Sequence, residues 1–220
     1  GIGDPVFEHS DDMSVADSHI GSISYSKGSI KRSSIDRLSN SNVNGTALMV
    51  HHIHESSIQG DSVFGARVTE SDLQGSAIHF GDIHQSTLIG QQLFVDTMNS
   101  VRLVGDRMDL RRINMSNIHG EDATVSAVHL SDLDLEMSDI HRVDTSDLIA
   151  GHSVIHRVES LEANVESSII QQAKDSIVRG NSHFLSSIES VQVLGSGHSL
   201  SNVTDAYVSG QGNRVTHSRD

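Results

Sequence analysis

Histidine is the residue type best placed to do chemistry in this chain. There are 15 in 220 residues, and His51, His52 and His54 stand together in the stretch HHIH. On a β-strand His52 and His54 share a face, which is how a metal-ligand set begins. His52 also repeats in position with Arg37 and Arg67, fifteen residues to either side, so a solvated polar face accounts for the cluster better. His183 and His198 are again fifteen apart. With no third ligand at a suitable spacing, an internal stack with its hydrogen bonds satisfied along the column accounts for them better than a metal pair. Asp132, Asp134, Asp139, Asp144 and Asp147 offer carboxylates for weak Ca²⁺ binding. No glycine-rich calcium repeat accompanies them, and a solvated acidic surface is the simpler reading. There is no Gly-x-Ser-x-Gly, no His-Glu-x-x-His and no phosphate-binding loop. No catalytic residue, cofactor or dedicated metal site is assigned, and the chain is not read as an enzyme.

The interval of fifteen is general. Residues 71–85 read SDLQG SAIHF GDIHQ, and the next fifteen read STLIG QQLFV DTMNS. The frame runs from Asp11 to Asp220 without insertion or deletion, which makes fourteen copies. Three columns carry large apolar residues. One runs through Met13, Gly28, Val43, Ile58 and Leu73 to Val208. A second runs through Ile20, Ile35, Val50, Gly65 and Phe80 to Val215. The third runs through Ile23, Leu38, Ile53, Val68 and Ile83 to Ser218. Each holds 13 apolar residues in 14, whereas a chain that is 35% hydrophobic supplies about 5 by chance.

The residues in these columns are β-branched or Leu, and polar residues alternate with them over short stretches, as in half-buried strands. Fifteen residues cannot hold two helices and a turn. The pattern therefore predicts an all-β fold: a single three-sided parallel β-solenoid of about 14 coils of 15 residues. Neither hand of the coil is dictated. Residues 1–10, with Pro5 and Glu8 in otherwise apolar columns, are read as a lead-in or N-terminal lid, with Val6 and Phe7 available to cover the first coil. Residues 11–220 are the solenoid. A fourth inward column, Leu48, Val63, Ile78, Leu93, Met108 and Ala123, turns polar as Ser138, Ser153, Ser168, His183, His198 and Asn213.

Two columns of small residues mark the corners. Ser26, Ser41, Ser56, Ser71, Ser86, Ser116, Ser131, Ser146 and Ser176 fit a tight bend, where a hydroxyl can bond nearby backbone. Gly45, Gly60, Gly75, Gly90, Gly105, Gly120, Gly180, Gly195 and Gly210 hold half of the 18 glycines, and a corner needing positive φ explains them. Pro occurs once, as expected of a chain whose backbone donors are used in ladders.

Outward columns are charged or apolar. One holds Arg37, His52, Arg67, Arg112, Arg142 and Arg157. Another holds Asp61, Asp106, Glu121, Glu136 and Glu166. Like charges stacked at strand spacing repel, so lateral ion pairing is expected, with docking between neighbouring solenoids as the alternative. A third column holds Met49, Phe64, Phe94, Val154, Ile169 and Phe184. With only five Phe in the chain, exposed aromatics there point to a lateral interface and a homo-oligomer or homopolymer.

The net charge of −14 argues against a nucleic-acid partner. No apolar run is long enough to insert in a membrane, and there is no Cys. The frame reaches Asp220 with no capping sequence after it. That gives the expectation of either a longer solenoid or open ends that pair head to tail.

The Ser-x-Ile/Leu subperiod resembles the pentapeptide-repeat proteins, in which a small residue stands two before a central Leu or Phe. That family closes a square coil of four pentapeptides, whereas this frame closes after three. The resemblance implies a third, less favoured role as an acidic DNA mimic acting on a topoisomerase. The stretch GHSLSNVTDAYVSGQGNRV looks like the ice-binding β-solenoids of grasses. Thr46, Thr69, Thr87, Thr97, Thr124 and Thr204 are scattered over five columns, however, with Thr69 and Thr204 sharing one at nine turns' distance, so no flat Thr row forms. Heads of trimeric autotransporter adhesins are similar in style. The sequence thus leads first to a structural β-solenoid subunit that self-assembles head to tail into an extracellular filament or matrix. The alternative is the stalk or binding module of a secreted adhesin.

Overall fold

The computed structural model describes residues 4–144, 147–160 and 162–219. Ser146 of the serine column lies outside them. The described residues contain no helix. The chain is a parallel β-solenoid whose turns lie fifteen residues apart, about fourteen in all. It divides into two units, residues 1–106 and 107–220.

In the first unit the strands are β1 (Val6–Glu8), β2 (Met13–Ala16), β3 (His19–Ser24), β4 (Lys27–Ser39), β5 (Asn42–His54), β6 (Ser57–Thr69), β7 (Asp72–His84) and β8 (Thr87–Asn99). β4 to β8 are each thirteen residues long. β5 pairs β6, and β6 pairs β7, always parallel and always at an offset of fifteen: Val43↔Ile58, Ile58↔Leu73, Leu48↔Val63, Val63↔Ile78. This register puts identical columns in contact. Ile20, Ile35, Val50, Phe80 and Val95 are all fully buried, as are Ile23, Leu38, Ile53, Val68 and Ile83 to within a per cent. Each such side chain stabilises the fold by about 1.5–3 kcal/mol, and a ladder of them holds every turn to the next.

The interruption of the second column at Gly65 has a packing reason. A Cβ there would collide with the Val50 carbonyl oxygen and with the ring of Phe80. The missing side chain of one turn is occupied by the oversized one of the next. β1 follows a different offset. Val6, Phe7 and Glu8 lie opposite Ser22, Ile23 and Ser24, sixteen residues on. The extra residue brings half-buried Phe7 into line with the Ile23 column and takes Pro5 and Glu8 off the apolar positions.

β9 (Arg102–Asn114) spans the boundary between the units. In the second unit β10 (Asn117–His129) is again thirteen residues long. From Asp132 onward each turn is split into a strand of five and a strand of six: β11 (Asp132–Glu136), β12 (Asp139–Asp144), β13 (Asp147–Gly151), β14 (Val154–Glu159), β15 (Glu162–Glu166), β16 (Ile169–Lys174), β17 (Ile177–Asn181), β18 (Phe184–Glu189), β19 (Gln192–Ser196) and β20 (Ser199–Thr204). β21 (Tyr207–Ser209) and β22 (Arg214–Arg219) follow. The fifteen-residue offset is unchanged: Leu133↔Leu148, Ile155↔Ile170, Leu185↔Leu200.

The serine column makes the corners. The Oγ atoms of Ser41, Ser56, Ser71 and Ser86 each accept a hydrogen bond from the backbone N–H of the serine one turn earlier, at 3.1–3.2 Å. Each hydroxyl donates to the carbonyl two residues before it, at 2.6–2.8 Å. A backbone donor that the bend would leave buried and unpaired is thereby satisfied. Ser116 and Ser131 repeat this in the second unit, at 3.1 Å.

The period alone assigns left-handed corners to the glycine column, and here the structure differs. The left-handed residues stand just before the serines, at Tyr25, Asn40, Glu55, Glu70 and Gln85, with φ of 45–50°. Of the nine glycines only Gly180, Gly195 and Gly210 have positive φ. At Gly45, Gly60, Gly75, Gly90 and Gly105 the requirement is close approach: a Cβ would strike the carbonyl oxygen of the residue fifteen earlier.

Candidate functional site

The outward apolar residues are the first candidates for function. Pairing of β5 to β8 sets Met49, Phe64, His79 and Phe94 opposite one another in successive turns of the first unit. Met49 is 52% exposed and Phe64 43%; Phe94 is half-buried. The Phe64 and Phe94 rings sit 6.1 and 4.3 Å from the His79 ring, tilted at 57° and 54°. Edge-tilted contacts of this kind favour aromatic pairs, so the side face carries an ordered aromatic row. His79 belongs to this row. Its place midway between two Phe at the fifteen-residue interval is the signal by which the sequence already marks it.

In the second unit β14, β16 and β18 align Val154, Ile169 and Phe184 in the same manner, with Ile169 and Phe184 exposed and Val154 half-buried. The six residues named from sequence therefore form two short rows, one in each unit. Ile89 and Ile149 are also exposed, in a column that is mostly polar and holds only Val104 and Leu194 as further apolar residues, so it gives a weak apolar signal.

The one buried titratable cluster is made by His183 and His198, among the described residues. Their rings stack at 4.9 Å with 16° between planes and are 2% and 1% exposed. Stacking follows from the column. Hydrogen bonding does not: none of the four ring nitrogens has a partner among the described residues. Gly180 and Gly195 create the space, since a Cβ at either would crowd the histidine Nε2 three residues on. Burial pushes His183 down to about 4, with the His198 ring adding to the effect, and burial also lowers His198. Both rings are therefore neutral in neutral solution. Asn213 continues the column and does hydrogen-bond, its Oδ1 accepting from the His198 backbone N–H at 3.1 Å.

No protein-family model matches this sequence, and no curated protein matches it. Its function must be read from its own geometry.

Charged side chains pair along the surface of each unit. Arg142 and Arg157 donate to Asp144 and Glu159, two residues on in the same strand, at 2.7 and 2.8 Å. Arg32 forms a two-pronged bond with Asp17 one turn earlier, both arms at 2.7 Å. That bond holds the Asp17 carboxyl below its ordinary range. Glu136 of the acidic column faces His152 at 3.5 Å. Lateral pairing thus relieves part of the like-charge stacking, and pairs this exposed contribute little stability.

His51, His52 and His54 are all exposed on β5, and His54 lies 3.7 Å from Glu55. The five aspartates of 132–147 do not converge, among the described residues. Asp134 bonds His119 at 2.9 Å, Asp139 bonds His156 at 2.9 Å and Asp144 bonds Arg142.

Proposed function

We propose that the chain is a structural β-solenoid that associates with further copies of itself, coil against coil, in an extracellular filament or matrix. The observation that supports this reading is the constancy of the register. Within each unit successive turns pair at the same fifteen-residue offset, in parallel and with the same apolar columns in contact, from β5 to β7 in the first and from β14 to β20 in the second. A coil of a second copy carries the complementary donors, acceptors and side chains without any change of geometry. The exposed row of Met49, Phe64, His79 and Phe94 adds a side contact between neighbouring solenoids.

Negative-stain electron microscopy with sedimentation velocity tests the reading. Long fibres one solenoid wide support it; single particles at every concentration overturn it. Substituting Phe64→Ser with Phe94→Ser should dissolve side-by-side bundles and leave single fibres intact. The same apolar row favours, as a second reading, the stalk of a secreted adhesin. In that case single particles would persist and would bind a surface partner in a Phe64-dependent way.

A further inference from the structure

We propose that Asp139, His141 and His156 form a surface site for a divalent transition-metal ion of the zinc class. β12 and β14 pair in parallel, with Ile140↔Ile155 and Arg142↔Arg157 in register. His141 and His156 lie between those pairs, and their rings stack at 4.7 Å with 12° between planes. Asp139 and His141 are two apart on one strand, so both point outward on the same face. The Asp139 Oδ1 is 2.9 Å from the His156 Nε2. One ligand atom from each residue lies within 4.8 Å of the other two. Metal–ligand bonds of about 2.0–2.2 Å require these atoms to close in by about 1 Å and the two rings to turn out of their stack, a rotation that exposed His141 can make beside half-buried His156.

The surroundings suit a cation. The second nitrogen of His156, Nδ1, lies 3.0 Å from the Gln171 Oε1 on β16. In the tautomer with its hydrogen on Nδ1, donation to that carbonyl oxygen orients the ring and leaves the Nε2 lone pair free as the ligand atom. Arg142 and Arg157, the nearest cations on the two strands, are turned to Asp144 and Glu159, so their charge is balanced. The two other three-residue groups, Asp4–His19–Asp36 and His54–Glu55–Glu70, each offer one nitrogen and two carboxylates. Two imidazoles and one carboxylate is the set that suits zinc-class ions, and it leaves a coordination position open. The ion would clip two turns of the second unit together.

Calorimetric titration of the full chain with ZnCl₂ at pH 7.5, with Co²⁺ absorption as the coordination readout, tests the proposal. The wild type should show a tightest site of one ion per chain. H141Q/H156Q should lose it, D139N should weaken it, and Gln171→Ala should weaken it about tenfold. H51Q/H52Q/H54Q should leave it unchanged. Affinity should fall at pH 5.5, because the ion competes with the imidazole proton. Far-ultraviolet circular dichroism identifies any variant that fails to fold; if H141Q/H156Q is one, the D139N and Gln171→Ala titrations decide. If the folded site variants titrate as the wild type does, or if H51Q/H52Q/H54Q loses as much binding as H141Q/H156Q, the chain merely chelates through scattered histidines and the site does not exist.

Discussion

Turns β5 to β8 and turns β11 to β16 solve the same packing problem in opposite ways. Two inward positions three residues apart compete for one volume at the bend. In β5 to β8 the first is glycine and the second is large: Gly45 with Leu48, Gly60 with Val63, Gly75 with Ile78, Gly90 with Leu93. The large side chains are buried, and the thirteen-residue strand passes through the bend unbroken. In β11 to β16 the first is apolar and the second is serine: Leu135 with Ser138, Ala150 with Ser153, Val165 with Ser168, again all buried. A left-handed residue then precedes each serine (Met137, His152, Ser167; φ 49–50°), and the strand divides. Ile30 with Ser33 shows the same residue pairing inside the first unit, with left-handed Arg32 (φ 44°) before the serine and the Ser33 hydroxyl donating to the Lys31 carbonyl at 2.8 Å, although β4 stays undivided. The choice is therefore made turn by turn, by residue pair.

The sharpest way to break this pairing is to add a side chain where only backbone fits. A Cβ on Gly90 would stand 2.5 Å from the Gly75 carbonyl oxygen and 2.6 Å from the Leu93 Cδ2. A Cβ on Gly151 would meet nothing closer than 3.6 Å, the Glu136 side chain. Gly90→Val should cost more than about 3 kcal/mol, the upper end for overpacked sites, while Gly151→Val should cost less than about 1 kcal/mol, as at open surface positions. Urea denaturation of both variants measures the difference. Equal losses would show that the glycine column is not there for close approach.

A second test exchanges the two solutions. Ser138→Leu alone should destabilise by about 1–3 kcal/mol, because Leu135 already fills the volume. Adding Leu135→Gly should recover much of that loss. A coupling energy within about 0.5 kcal/mol of zero in the double-mutant cycle would mean that the two positions do not share space.

Much of this was legible in the sequence. A period of fifteen and three apolar columns suffice to predict parallel turns, because residues that recur in register must stack. The serine corners were legible for the same reason. The physical cause of the glycine column was not, because a close approach and a left-handed turn select the same residue. The distinction lies in φ, and the sequence hint was the anticorrelation between the Gly45 and Leu48 columns rather than either column alone. The site around His156 was hidden differently. Asp139 is two residues from His141 and seventeen from His156, so the three meet only when an i, i+2 step on one strand is combined with a step of one turn.

The region around His183 mixes the two solutions and should be the weak point in acid. Gly180 and Gly195 pair with large residues, as in β5 to β8, but a left-handed residue precedes each histidine (Ser182, Gly197) and the strands divide, as in β11 to β16. Folded His183 stays neutral down to about 4, whereas an unfolded histidine takes up its proton near pH 6.5. Between these values the unfolded chain binds more protons. Stability is therefore complete above about pH 6.5 and falls as pH drops toward 4. At 1.36 kcal/mol per pH unit the loss approaches about 3 kcal/mol. Hydrogen exchange at pH 7 and pH 4.5 should show protection falling in β17 to β20 before β11 to β14. His183→Leu with His198→Leu should remove the difference, and its persistence in that variant would assign the acid sensitivity elsewhere.

The smallest expected effect probes the hydroxyl ladder of the second solution. The Ser153 Oγ accepts from the Ser138 N–H at 3.1 Å and donates to the Gly151 carbonyl at 2.7 Å, while the Ser153 N–H donates to Ser168 at 3.2 Å. Ser153→Ala strands the buried Ser138 donor and should cost about 1–2 kcal/mol, the penalty of one unsatisfied buried group. Ser153→Cys keeps a weak donor and acceptor of similar shape and should cost less. The matching change at Ser71, where Ser56 N–H is the donor served at 3.1 Å, should cost the same, since both corners use the hydroxyl identically. If the Ser71 variant were much the more damaging, the unbroken strands of β5 to β8 would be resting on their serine corner in a way that the divided strands are not.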